Sequence, residues 1–193
     1  MFEMSSPHSQ LSWQFSFRTL GFAKDQIDGA MRYRHPLCTE FGWQCLLRFA
    51  GRRWDSPIGR FAKERFSAGF PIALVAGWRS NHTFDNRGLE PDESARAVAR
   101  DVQAHVLPFI AKLDSDKQLM HFLVKDEEPY RWFRSQGLSR LAEIAKLEAA
   151  LDVRDSILEN LASTHKQMLE DQLDEVSLEA YVECIRNAAR SDA

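Results

Sequence analysis

From residue 138 to residue 193 the chain contains neither glycine nor proline. These two residues are the strongest interrupters of regular structure, so a stretch without them has little to break a helix. It also holds one aromatic residue, Tyr181. The pattern predicts three helical segments, over about 138–150, 153–172 and 177–190. Asp152 and Ser177 are placed to cap the second and third, because short oxygen-bearing side chains satisfy the free N–H groups of a first turn. In the middle segment Ile157, Leu158, Leu161, His165, Met168 and Leu169 share one side. His165 on that apolar stripe reads as a partly buried histidine rather than a ligand.

The first ninety residues are built differently. They hold eight of the nine glycines and fifteen of the twenty-one aromatic residues. Residues 11–17 alternate, with Leu11, Trp13, Phe15 and Phe17 on one face and Ser12, Gln14 and Ser16 on the other, as a half-buried strand requires, while Leu20 and Phe22 blur the pattern and leave a short amphipathic helix as the alternative. Gly21 and Gly29 bracket a polar stretch read as a turn or a short helix. Residues 30–35 form a short candidate strand ended by Pro36. Residues 41–49 read as a strand through Phe41, Trp43, Cys45, Leu47 and Phe49, and the nearly continuous apolar run 70–78 as a strand buried on both faces. A polar loop over 79–91 follows. From Asp92 the period becomes helical, with Val98, Val102, Val106, Phe109 and Leu113 in one stripe. Pro108 should kink or end that helix, because it lacks a backbone donor. Ser115 and Gln118 have capping-box spacing for a short helix through Leu123.

These features give an α+β fold: a small, mainly antiparallel N-terminal sheet packed on helices, followed by an all-α acidic C-terminal subdomain. The expected division is 1–136 and 137–193. Trp78 after the apolar run, then Leu107, Pro108 and the Ser115 cap, resemble the pattern of a group of small bacterial proteins of unknown function over about residues 70–125. That resemblance implies a small sheet followed by helices and a bacterial source; it implies no activity.

Charge follows the same division. Residues 1–90 carry 12 Lys+Arg against 8 Asp+Glu, and residues 91–193 carry 13 against 20. Asp155/Glu159, Asp171/Glu175 and Glu179/Glu183 each set like charges four residues apart, an arrangement that costs a helix about 0.2–0.5 kcal/mol per pair. Such a face attracts a basic partner. Tyr130 and Trp132, in the segment Tyr130-Arg131-Trp132-Phe133, are the residue types that anchor interfaces. The expected function is therefore non-catalytic: a protein-binding module, of the kind immunity proteins or antitoxins represent, that masks a basic protein through acidic helices. Homodimerisation is compatible with this.

Two other classes keep candidate residues. An enzyme would draw on His82, Asp85, Glu90 and Asp92 in or beside the 79–92 loop, since a histidine near carboxylates can move protons. No nucleophile elbow, phosphate loop or zinc-protease motif accompanies them. A nucleic-acid module would use Arg48, Arg52, Arg53, Arg60 and Arg65, interleaved with Phe49, Trp54, Phe61 and Phe66. A sequence pI near 6.1 disfavours that reading. His35, Cys38, Cys45 and His82 are soft donors, but their spacing fits no zinc site, and they read as core. No metal or cofactor is expected. Three cysteines, no apolar run long enough to span a bilayer and no signal-peptide pattern at the start point to a cytoplasmic protein without a membrane partner.

Overall fold

A computed structural model describes residues 2–5, 10–20, 26–49, 70–78, 83–124, 137–153, 157–173 and 176–191. The fold is α+β. Strands β1 (Phe2–Ser5), β2 (Ser12–Leu20), β3 (Gln26–Arg34) and β4 (Phe70–Pro71) form an antiparallel sheet in that order, and β5 (Phe84–Asp85) pairs with the start of β3. The alternation along β2 is realised: Leu11, Trp13 and Phe15 are buried, and across the ladder Trp13 faces Tyr33 and Phe15 faces Met31. The Trp13 and Tyr33 rings lie 5.9 Å apart. Gly29 is not in a turn. It sits within β3 opposite Phe17, whose ring occupies the space a side chain there would need.

Two segments expected as strands are helical. Residues 41–49 lie in α1 (Thr39–Phe49). The same residues that alternate also place Cys38, Phe41, Gly42 and Cys45 at spacings of three and four, and all four are buried. The turn before the helix decides between the two periods. Thr39 Oγ1 accepts the His35 N–H at 2.8 Å, and the His35 ring Nδ1 accepts the N–H groups of Leu37 and Cys38 at 3.2 and 3.4 Å, which satisfies donors at the helix entrance. In 70–78 only Phe70 and Pro71 pair with β3; the chain then forms α2 (Ala73–Ala76), closed by Gly77 in the left-handed conformation. A short apolar run alone does not separate a buried strand from a buried helix.

A long helix follows in three parts: α3 (Pro91–Asp101), a π-helical turn (Val102–Val106) and α4 (Leu107–Ala111). The helix passes Pro108 without ending. Proline has no N–H to give and crowds the carbonyl four residues back, and the wider turn before it relieves that crowding. Next come α5 (Asp116–Val124), entered through Ser115, α6 (Gly137–Ala150), α7 (Ile157–Thr164), α8 (Lys166–Glu170) and α9 (Leu178–Ser191). The expected middle helix is thus two helices, divided at His165. Ser177 caps α9, its Oγ accepting the Ala180 N–H at 3.2 Å. Asp152 is not an N-cap. It ends α6 with φ of 50°, while the N–H of Val153 reaches back to the Glu148 carbonyl at 3.0 Å. This is a Schellman ending with aspartate in the position glycine usually holds.

Helix α6 is the centre of the helical layer. It packs on α1, α5, α7, α8 and α9, and all its residues from Gly137 to Glu148 are buried. The close approach of α1 depends on Gly42: a Cβ there would come within 2.8 Å of Glu143 Cγ and 3.0 Å of the Ser139 carbonyl oxygen. Three buried polar side chains on α6 find partners on other elements. Tyr33 donates its hydroxyl hydrogen to Glu143, Lys146 donates to the Ala189 carbonyl at 3.2 Å, and Glu148 accepts the Leu158 N–H at 3.0 Å, capping α7. Buried residues from the sheet and from the last helix belong to one apolar cluster.

Candidate functional site

The inner face of the sheet extends beyond the helices that cover it. Leu11, Trp13 and Phe15 are buried, but Phe17, next on the same face, is half-buried, and Thr19 is exposed. Their ladder neighbour Ile27 is also only partly covered. Opposite this end of the hairpin stands α3 with its π-turn. Pro91, Ser94 and Ala95, then Val98 and Ala99, Val102 and Gln103, and finally Leu107 recur every three or four residues and so share one helix face. Between sheet and helix lies a groove of about 1110 Å³, lined also by the turn Asn86-Arg87-Gly88-Leu89. Natural small-molecule pockets occupy roughly 300–1,000 Å³.

Local chemistry holds these walls in place. Pro91 opens α3, and Glu93 reaches back to accept the Glu90 N–H at 3.2 Å. Gly88 adopts a φ of 75°, which the turn into the helix needs. Trp78 ties two elements together: its indole N–H donates to Asp101 at 2.8 Å, and its ring meets the edge of Phe84 in β5 at 5.6 Å. The π-turn contributes Val102 and Gln103 to the groove, and the wider spacing of such turns is recurrent at functional sites.

The groove lining is mainly apolar. Among the described residues two arginines line it, and each pairs with an aspartate. Arg18 bonds Asp28 at 2.7 Å, and Arg87 grips Asp85 through Nε at 2.9 Å and Nη2 at 2.5 Å. The Arg87 side-chain and backbone donors hold the Asp85 carboxyl down at about 2. Ser94 is only 3% exposed, and its Oγ has no hydrogen-bond partner among the described residues. Among the described residues the lining contains no histidine, cysteine, lysine, aspartate or glutamate.

The residues expected to carry function are distributed elsewhere. Glu159 accepts from Arg186 at 2.7 Å, joining α7 to α9. Glu179 accepts from Lys166 at 2.9 Å, which holds its carboxyl below the usual range. Asp171 ends α8 and accepts from Gln167 at 3.4 Å, and Glu183 is exposed on α9. Asp155, Glu175, Tyr130 and Trp132 lie outside the described residues. So do His82, Arg52, Arg53, Arg60, Arg65, Trp54, Phe61 and Phe66. Arg48 is exposed near the end of α1, 5.2 Å from the Phe49 ring centre.

Of the loop carboxylates, Asp85 is held by Arg87, while Glu90 and Asp92 serve the start of α3. His35 is buried and bonds Asp116 at 3.0 Å. Burial, then the nearby Glu143 and Asp116, push the Cys38 thiol well up. Cys45 is buried in α1. Among the described residues no group of three or more histidine, cysteine, aspartate or glutamate side chains is arranged to hold a metal ion. No described helix is long and apolar enough to cross a membrane.

Sequence reasoning named Phe17, Val98, Val102 and Leu107 and the loop that borders the groove, but not the groove itself. The usable signal was that the α3 stripe runs from Pro91 to Leu107, about 24 Å at the rise of an α-helix. That face is longer than the buried Val98 and Val106 alone require. Comparison with known proteins returns no matching family model, no matching curated protein and no matching solved structure.

Proposed function

We propose that this chain is a binding module that holds a small apolar molecule in the groove between the β2–β3 hairpin and α3. The supporting observation is the uncovered end of the sheet's core face, opposed by a continuous helix face across a cavity of about 1110 Å³. Apolar surface on both walls is left exposed to water, and a ligand that covers it gains roughly 25 cal/mol for each Å² removed from solvent. Among the described residues the lining offers hydroxyl, amide and guanidinium groups and no histidine or carboxylate, and the proposal is one of binding.

The test uses phenylnaphthylamine, a neutral dye that brightens in apolar sites. Titration should show saturable binding at about one equivalent. Ala99→Trp, which places an indole in the groove from an exposed position, should abolish it while leaving the circular dichroism spectrum unchanged. Equal binding by both proteins would overturn the reading. The masking of a basic protein by the acidic helices is a separate proposal that draws on charge alone; two of its carboxylates, Glu159 and Glu179, already serve the chain's own cations.

A further inference from the structure

Taking the groove as the binding site, we infer that Gly29 sets its depth, and with it the thickness of ligand that fits, by letting the Phe17 ring lie down against the sheet. The inference rests on the proposed function and adds a positioning residue to it, one that acts through Phe17.

The sheet itself shows where the groove is deep. The inward-facing pairs of the β2–β3 ladder run Trp13 with Tyr33, Phe15 with Met31, Phe17 with Gly29 and Thr19 with Ile27. The third pair brings one side chain where the others bring two. Phe17 fills the space: a Cβ on Gly29 would come within 3.0 Å of its ring carbons Cδ1 and Cε1. The ring therefore lies against Gly29, which is buried, while Phe17 is half-buried and lines the groove. Glycine weakens a strand interior, since it loses the most backbone freedom on folding and brings nothing to pack. Its presence here trades that weakness for a low wall.

The surroundings decide what a side chain at position 29 would move. The same Cβ would lie 3.1 Å from Ile72 Cδ1. Ile72 is fully buried, and its N–H donates to the Gly29 carbonyl at 2.8 Å, so it is held from two sides. Phe17 is the neighbour with room to yield, and that room is the groove. Contacts this short require a shift of a few tenths of an ångström. In a close-packed site such a shift is felt by whatever touches the ring. A thin chain can pass a raised ring, whereas a rigid, thick body must give up contact with one wall.

The experiment displaces phenylnaphthylamine from the intact protein with two alcohols of ten carbons each, decyl alcohol, a thin chain, and adamantanol, a compact cage. The ratio of the two displacing concentrations is read, so that a change in the affinity of the dye cancels. Gly29→Ala should raise the adamantanol concentration about fivefold relative to decyl alcohol, the effect of modest overpacking. Phe17→Ala, which removes the ring from a half-buried position, should move the ratio the opposite way. A purely structural role for Gly29 would change thermal stability and leave the ratio where it was. An unchanged or reversed ratio would overturn the inference while the groove stands. If Gly29→Ala does not fold, Phe17→Ala decides by the same ratio. If Ala99→Trp fails to block the dye, the groove reading itself falls and the inference with it.

Discussion

Glu143 is the residue at which burial and chemistry conflict most. It lies fully buried at the crossing of α1 and α6, and loss of water pushes its carboxyl up to about 8, against the opposing hydrogen bond from Tyr33. The group ordinarily titrates near 4.5. Between those two values the folded state holds a proton that the unfolded state has released. Stability is therefore greatest below pH 4.5 as far as this group is concerned and falls as pH rises toward 8, by at most about 1.4 kcal/mol per pH unit. Burial raises Glu148 in the same direction. Urea unfolding at pH 5 and pH 8 should show the loss, and Glu143→Gln, which keeps an acceptor for Tyr33, should remove most of it. An unchanged slope in the variant would contradict the assignment. Asp152 carries a second local cost, because its φ of 50° is one that side chains with a Cβ rarely adopt. Asp152→Val should destabilise the protein by about 1–2 kcal/mol, whereas Asp152→Gly should not, as read from thermal unfolding.

At the scale of elements, the legibility of the sequence depended on how far one period outweighed the other. In β2 the strict alternation over 11–17 stood against a short-helix reading left open by Leu20 and Phe22, and it was realised at Leu11, Trp13 and Phe15. In α1 two periods coexisted, and a capping turn built on the His35 ring and Thr39 settled the outcome. Histidine is not among the usual capping residues, so that turn left no recognisable mark in the sequence. The run 70–78 failed for a different reason: buried strands and short buried helices share a composition. The C-terminal helices were legible because nothing interrupts them, but the break at His165 was not, since no glycine or proline marks it. Of the two outcomes expected at Pro108, a kink or an end, the helix does not end there and passes through a π-turn instead. The π-turn that accommodates it also feeds Val102 and Gln103 into the groove. Pro108→Ala should raise stability by about 1 kcal/mol, a fraction of the roughly 3 kcal/mol an interior proline costs. If the π-turn shapes the groove, the same variant should bind phenylnaphthylamine several-fold more weakly. Undiminished binding would separate the turn from the site.

Over the whole molecule, one apolar cluster runs from Leu11 in the sheet to Ala189 in the last helix, with α6 between them. The composition break that is so clear in the sequence does not interrupt that core: Tyr33 on β3 reaches Glu143 on α6, and α1 packs directly on α6. The helical layer covers the sheet's inner face as far as Phe15 and leaves the rest to face α3. The groove was not legible in the sequence because it arises between elements. Its walls come from β2, β3, the 86–91 turn and α3, and no single segment contains enough of it to form a motif. The excess of acidic residues after residue 90, by contrast, was legible as charge, and the pairing of Glu159 with Arg186 and Glu179 with Lys166 became visible only once the helices were packed. The most direct test of the account is a methyl chemical-shift map recorded while phenylnaphthylamine is added to the intact protein. The account predicts shifts confined to Ile27, Ala95, Val98, Ala99, Val102 and Leu107, saturating together. Shifts centred instead on the methyls of α9, or scattered without saturation, would contradict it.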